Sequence, residues 1–279
     1  MAYRKINMNM RNENKAIVLK CKNTSHLIEQ LNVIESFLDD FSFLIFGRDH
    51  IVCKKYIFSL QRILNSSQAT LGSIIECCNC FCLADAYTLL RKYRDDLFFC
   101  LYLVTYDVNV KIGMAQNKNK METNIEQWCK NSLSNLNISE VLATIGTSDN
   151  LKDAVRKYGL QKSFDQIGKL LNNYTHGNGY LFYNSNAWSL DENDIEKQIN
   201  DIVSTARYIT TTFLFLLILC SPQYIMSTDY IDYLEVGQTP PEGSQYWVAP
   251  FVVNFLKNNV EMIDKNCYEY LKDNTCMEL

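Results

Sequence analysis

The sequence predicts an all-α protein: a bundle of long helices, with short helices inserted and a helical extension at the C-terminus. Three observations predict it. Apolar residues recur at three- and four-residue steps through several long segments. Turn-formers are scarce, with 10 Gly and 4 Pro in 279 residues, too few for an all-β chain with many tight turns. No stretch of about six residues alternates as a half-buried strand does.

The elements follow in order. From Ser25, "SHLIEQLNVIESFLDDFSFLIFG" sets Leu27, Leu31, Ile34, Leu38 and Phe41 on one face and stops at Gly47. A second long helix is expected from Cys53 through "CKKYIFSLQRILNSSQATLGSIIECCNCF", and a third through "LADAYTLLRKYRDDLFFCLYLVTYDV". The polar "KIGMAQNKNKM" reads as a loop. Short helices then follow in "TNIEQWCKNSLSN", "ISEVLATIG", "NLKDAVRKYG" and "QKSFDQIGKLLNNYTHG", two of them closed by glycine. Ser189 or Asp191 is placed to cap a long helix that runs on to Cys220. After the "GQTPPEGSQ" loop, "YWVAPFVVNFLKNNVEMIDKNCYEYLKDN" reads as one last helix. Residues 1–24 form an N-terminal arm in this reading, 25–222 the bundle, and 223–279 a loop and helix packed on it.

Composition limits the function classes. Hydrophobic residues make up 47% and charged residues 21%, a globular balance, and the net charge of −4 gives no global field for nucleic acid. The opening "MAYRKINMNMRNENKAIVLK" lacks the apolar run of a secretory signal, so a cytoplasmic location is expected. In that setting the 11 cysteines read as reduced, apolar fillers. The dense apolar stretch "FLFLLILC" is eight residues long, well short of the roughly 20 a membrane span needs, and reads as the central buried helix.

Two helices carry candidate chemistry. On the "LLRKYRDDLFFCLYLV" helix, Leu90, Tyr93, Leu97, Leu101 and Val104 form the core stripe, while Arg91 and Asp95 stand at i,i+4 with Arg94 beside them. Charges on so apolar a helix need partners, whether as a structural ion pair or as a functional group. On "KLLNNYTHGNGY", Lys169, Asn172, Asn173 and His176 fall at i, i+3, i+4 and i+7, one polar stripe expected to face the Arg-Arg-Asp helix. A histidine at such a helix end is suited to moving a proton near neutral pH, and is equally a common helix stop. The "CCNCFC" run (Cys77, Cys78, Cys80 and Cys82) cannot converge on one metal ion from a helix, and reads as core packing. The aromatics of "DYIDYLEVGQTPPEGSQYWVAP", Tyr230, Tyr233, Tyr246 and Trp247, are expected to pack between helices.

A long helix bearing Arg-x-x-Arg-Asp, followed after several short helices by one closing on Asn-x-x-His-Gly, resembles the HEPN superfamily, over roughly residues 50 to 220. The resemblance implies a four- to five-helix core. Many members are metal-independent ribonucleases of bacterial defence and toxin–antitoxin systems, whose Arg and His sites join across a dimer. It implies RNA as substrate, a homodimer or a complex with a second protein, and no metal, cofactor or membrane. On that pattern His176 would move the proton, Arg91 or Arg94 would stabilise the phosphorane, and Lys169, Asn173 and Asp95 would complete the site. The sequence departs from the pattern in one place. No arginine lies four to six residues before His176, and the cation on that helix is Lys169. The resemblance therefore implies either a ribonuclease or a degenerate helical module that binds RNA, a nucleotide or a protein.

Overall fold

The computed structural model describes residues 12–13, 22–111, 113, 118–130, 138–146, 149–177 and 192–279. Most of the expected N-terminal arm, the end of the glycine turn from Asn178 to Tyr180, and the caps Ser189 and Asp191 lie outside the described residues. The architecture is all-α. Its helices are α1 (Lys22–Leu44), α2 (Leu60–Asn79), α3 (Leu83–Lys111), α4 (Lys118–Cys129), α5 (Ile138–Ile145), α6 (Asp149–Lys157), α7 (Leu160–Thr175), α8 (Glu192–Cys220), α9 (Asp229–Glu235), α10 (Pro250–Asn259) and α11 (Cys267–Asn274).

Two helices form the centre. Every residue from Leu97 to Tyr106 of α3 is buried, and so is every residue from Ile209 to Leu219 of α8. A helix apolar all round has no solvent face, so it must be wrapped. Helices α2, α5, α7 and α8 pack on α3, while α1, α6, α10 and α11 pack on α8. The two central helices are also tied by a buried hydrogen bond of 2.6 Å between the Tyr93 hydroxyl and Thr210 Oγ1. By length and composition alone, Asp194–Cys220 could cross a membrane, and 78% of its most apolar window is buried among the other helices.

The structure corrects the reading in three places. The segment from Cys53 does not start as helix. A hairpin of β1 (His50–Cys53) and β2 (Tyr56–Ser59) precedes α2, antiparallel, with Val52 opposite Ile57. Asp49 ends it, its Oδ2 accepting hydrogen bonds from the Ser59 hydroxyl at 2.5 Å and the Gln61 N–H at 3.2 Å, while the Ser59 side chain caps α2 at Arg62 N–H. The expected last helix is two, α10 and α11, separated by a 3₁₀ turn at Val260–Met262. Asn259 ends α10 by turning its side-chain amide back to the Phe255 carbonyl at 2.8 Å. Finally, the aromatics expected to pack between helices do so only in part. Tyr233 is 37% exposed, because α9 buries none of its residues, and Tyr246, at the end of the 3₁₀ turn Ser244–Tyr246, is 40% exposed.

Candidate functional site

Helix α7 leans on α3 through an apolar face, and that face sets where every candidate residue lies. Phe164 meets Phe98 edge-on at 4.5 Å, and Tyr174 stacks on Tyr87 with centroids 4.0 Å apart and planes 11° from parallel. Leu171 is fully buried between these two contacts. At Gly168 an added Cβ would meet the tip of the Arg94 side chain, Nη1, at 3.5 Å. The pairs 98 with 164, 94 with 168 and 87 with 174 run in opposite directions, so the two helices are antiparallel.

That register separates the two halves of the expected site. His176 lies eight residues beyond Gly168, about 12 Å further along the helix axis at 1.5 Å per residue. Arg94 is therefore two turns away from it. The structure does bring Arg91, Arg94 and Asp95 together. Arg94 is buried and donates from Nε and Nη2 to Asp95 Oδ1 at 2.9 and 2.7 Å. Arg91 Nε lies 3.8 Å from Asp95 Oδ2, which draws its guanidinium along α3 away from the His176 end. Both arginines thus answer to one carboxylate, as a structural ion cluster does.

The Lys169–Asn172–His176 stripe does not face α3. All three side chains are exposed and Asn173 is half-buried, because Phe164, Leu171 and Tyr174 occupy the α3 side of the helix. His176 is the C-cap of α7, its N–H donating to the Asn172 carbonyl at 3.0 Å, and Gly177 follows at φ +61°. Only glycine takes that left-handed turn without strain.

A different arrangement emerges on the outward face. Lys162, Lys169 and His176 stand at seven-residue intervals, one line along about 20 Å of exposed helix. At the Lys162 end the line opens into a groove of about 530 Å³ between α5, α6 and α7, lined by Lys152, Arg156 and Lys162. Among the described residues, none of Lys152, Arg156, Lys162 and Lys169 pairs with a carboxylate. Asp165 also lines the groove, its Oδ1 accepting from the Ser139 hydroxyl at 3.0 Å and the Gln161 amide at 3.1 Å, and three cations against this one carboxylate leave the lining positive. Sequence reasoning passed over Lys152, Arg156 and Lys162. The seven-residue spacing of Lys162, Lys169 and His176 was the signal available; Lys152 and Arg156 lie on the separate short helix α6, where cations at i,i+4 read as an ordinary solvated face.

The cysteine run holds no comparable arrangement. Cys78 is fully buried, its thiol pushed up by burial, and Phe81 at φ +58° turns the chain between α2 and α3. Among the described residues, no three His, Cys, Asp or Glu side chains are grouped to hold a metal ion. Comparison with protein-family models, curated proteins and solved structures gives no match.

Proposed function

We propose that the chain is a HEPN-like helical module that binds RNA on its outward basic face and does not cleave it as a monomer. The observation that carries this reading is the line of Lys162, Lys169 and His176 continuing into the Lys152–Arg156 groove. Cations that pair with no carboxylate among the described residues, spread along one surface, suit a phosphate backbone rather than a single small anion. The net charge of −4 makes this a local patch, so steering toward it acts at short range.

The same geometry argues against cleavage in one chain. A general acid–base group must come within hydrogen-bond reach of the proton it moves, and the cation must touch the phosphorane in the same site. His176 is two turns from Arg94, and Arg94 is already committed to Asp95. Because His176 is exposed, a ribonuclease site would need its cation from a second copy. Incubating a 5′-labelled single-stranded RNA with the protein, with His176→Ala and with Arg94→Ala tests the reading. Intact RNA in all three supports a binding module, and cleavage that both variants lose supports a nuclease.

A further inference from the structure

Away from the basic face, a groove of about 620 Å³ lies between α1 and α10 with Arg207 of α8 at its floor. We infer that this groove binds a small organic monoanion, a carboxylate carried on a flat apolar body. Arg207 is partly buried. Its Nε donates to Asn259 Oδ1 at 3.0 Å and its Nη1 to Gln30 Oε1 at 3.2 Å. Both acceptors are neutral amides. Among the described residues no carboxylate pairs with Arg207, and its Nη2 group donates to no acceptor.

A guanidinium held this way is aimed but not neutralised. Desolvating a cation without a counter-ion is unfavourable, and a carboxylate entering the groove would relieve it through charge-assisted hydrogen bonds from the free end of the planar fork, Nη2 and the second Nη1 N–H. The amides of Gln30 and Asn259 fix that fork in advance, so little is lost in ordering it. The groove volume falls within the range of small-molecule sites.

The surroundings set the ligand's character. Phe251 is half-buried at the groove and forms its apolar wall, backed at 5.9 Å by Phe37, which stacks on Phe255 at 3.9 Å and 19° with both of those rings only 5% exposed. A flat ring laid on that wall buries apolar area that an inorganic ion cannot. Two carboxylates, Glu29 and Asp40, line the same groove. They repel any anion in proportion to its charge, so phosphate dianions and nucleic-acid strands are disfavoured more than a single carboxylate held directly by Arg207. One negative charge for Arg207 and an apolar body for the phenylalanines remain.

The test uses the full chain and calorimetric titration with phenylacetate, its neutral isostere phenylacetamide, inorganic phosphate and adenosine 5′-monophosphate. Phenylacetate should bind at least tenfold more tightly than the amide and than either phosphate compound. Arg207→Gln should lose that preference while retaining its helical circular dichroism and its RNA binding. Equal binding of acid and amide would overturn the inference, as would tighter binding of a phosphate compound or an unchanged preference in Arg207→Gln. If the variant does not fold, the acid–amide comparison on the unaltered protein still decides.

Discussion

Tyr174 of α7 lies flat on Tyr87 of α3, ring centroids 4.0 Å apart, and this stack fixes the register on which the functional reading depends. Both rings are almost fully buried, and the Tyr87 hydroxyl also donates to the Gln198 carbonyl of α8 at 3.3 Å. One contact therefore joins three helices. A slide of two turns would be needed to bring His176 to Arg94, and it would unstack these rings and separate Phe164 from Phe98.

Truncating the stack should accordingly be costly. Tyr174→Ala is expected to destabilise the fold by about 3 kcal/mol, the usual scale for deleting a buried ring. Tyr174→Phe, which keeps the stacked face, should cost less than about 1 kcal/mol. Urea unfolding followed by circular dichroism reads both values, and equal losses would show that the hydroxyl, not the stack, matters.

The Arg94–Asp95 pair should respond unequally to its two possible deletions. Asp95→Asn leaves a buried guanidinium without its counter-ion, while Asp95 itself is 43% exposed and tolerates the loss of Arg94. Asp95→Asn is expected to cost about 2 kcal/mol, less than a fully enclosed pair because water reaches the carboxylate side. Arg94→Met, which fills the space beside Gly168 without charge, should fall within about 1 kcal/mol of the parent. If Arg94→Met is the more damaging change, the pair does not work as described.

Gly168 gives a prediction of the opposite sign. It sits inside α7, and an added Cβ meets only Arg94 Nη1, at an ordinary contact distance of 3.5 Å. Gly168→Ala should therefore stabilise the protein by roughly 0.5–1 kcal/mol through helix propensity and a less flexible unfolded chain. A lower thermal midpoint would mean that α7 packs more tightly on α3 than the Phe164 and Tyr174 contacts imply.

Acid should loosen the hairpin before the bundle. Glu126 of α4 binds Lys130 at 2.6 Å and Lys54 of the hairpin turn at 2.9 Å. Hydrogen bonds from Lys130 and then Lys54, followed by their charges, hold its carboxyl down at about 2. With the folded value below the unfolded one, its contribution is complete above the ordinary carboxyl range of about 4.5 and fades as pH falls toward 2. Trp128 reports the change, because it stacks on Phe99 at 4.1 Å and touches Phe58 of the hairpin. In a Trp188→Phe, Trp247→Phe background, its fluorescence should shift between about pH 4.5 and 2, and Glu126→Gln should abolish the shift.

The long helices were legible because burial on one face leaves a periodic record; Leu31, Ile34, Leu38 and Phe41 are all buried as their spacing implies. The hairpin left no such record. Its strands are four residues long, too short to show alternation, and its turn uses Lys54 at φ +52° where glycine or asparagine would have announced it. In the candidate site, the helix stop at His176–Gly177 was readable, but the direction of its polar stripe was not. A stripe's spacing shows that residues share a face, and only the packing of Phe164, Leu171 and Tyr174 on α3 shows that this face points outward. Arg207 was invisible for a related reason. A single cation in "STARYITTT" has no local pattern, and its partners Gln30 and Asn259 are 177 and 52 residues away.

The proposed RNA binding by the basic face, without cleavage, is read by one salt-dependent titration on a labelled single-stranded RNA. The observed affinity should fall with salt at a logarithmic slope of about −3, as four phosphate contacts require at roughly −0.7 each. Lys162→Gln with Lys169→Gln should flatten that slope by about 1.4, and the RNA recovered from every sample should be full length. A slope unchanged by the two substitutions, or recovered fragments that vanish in His176→Ala, would contradict it.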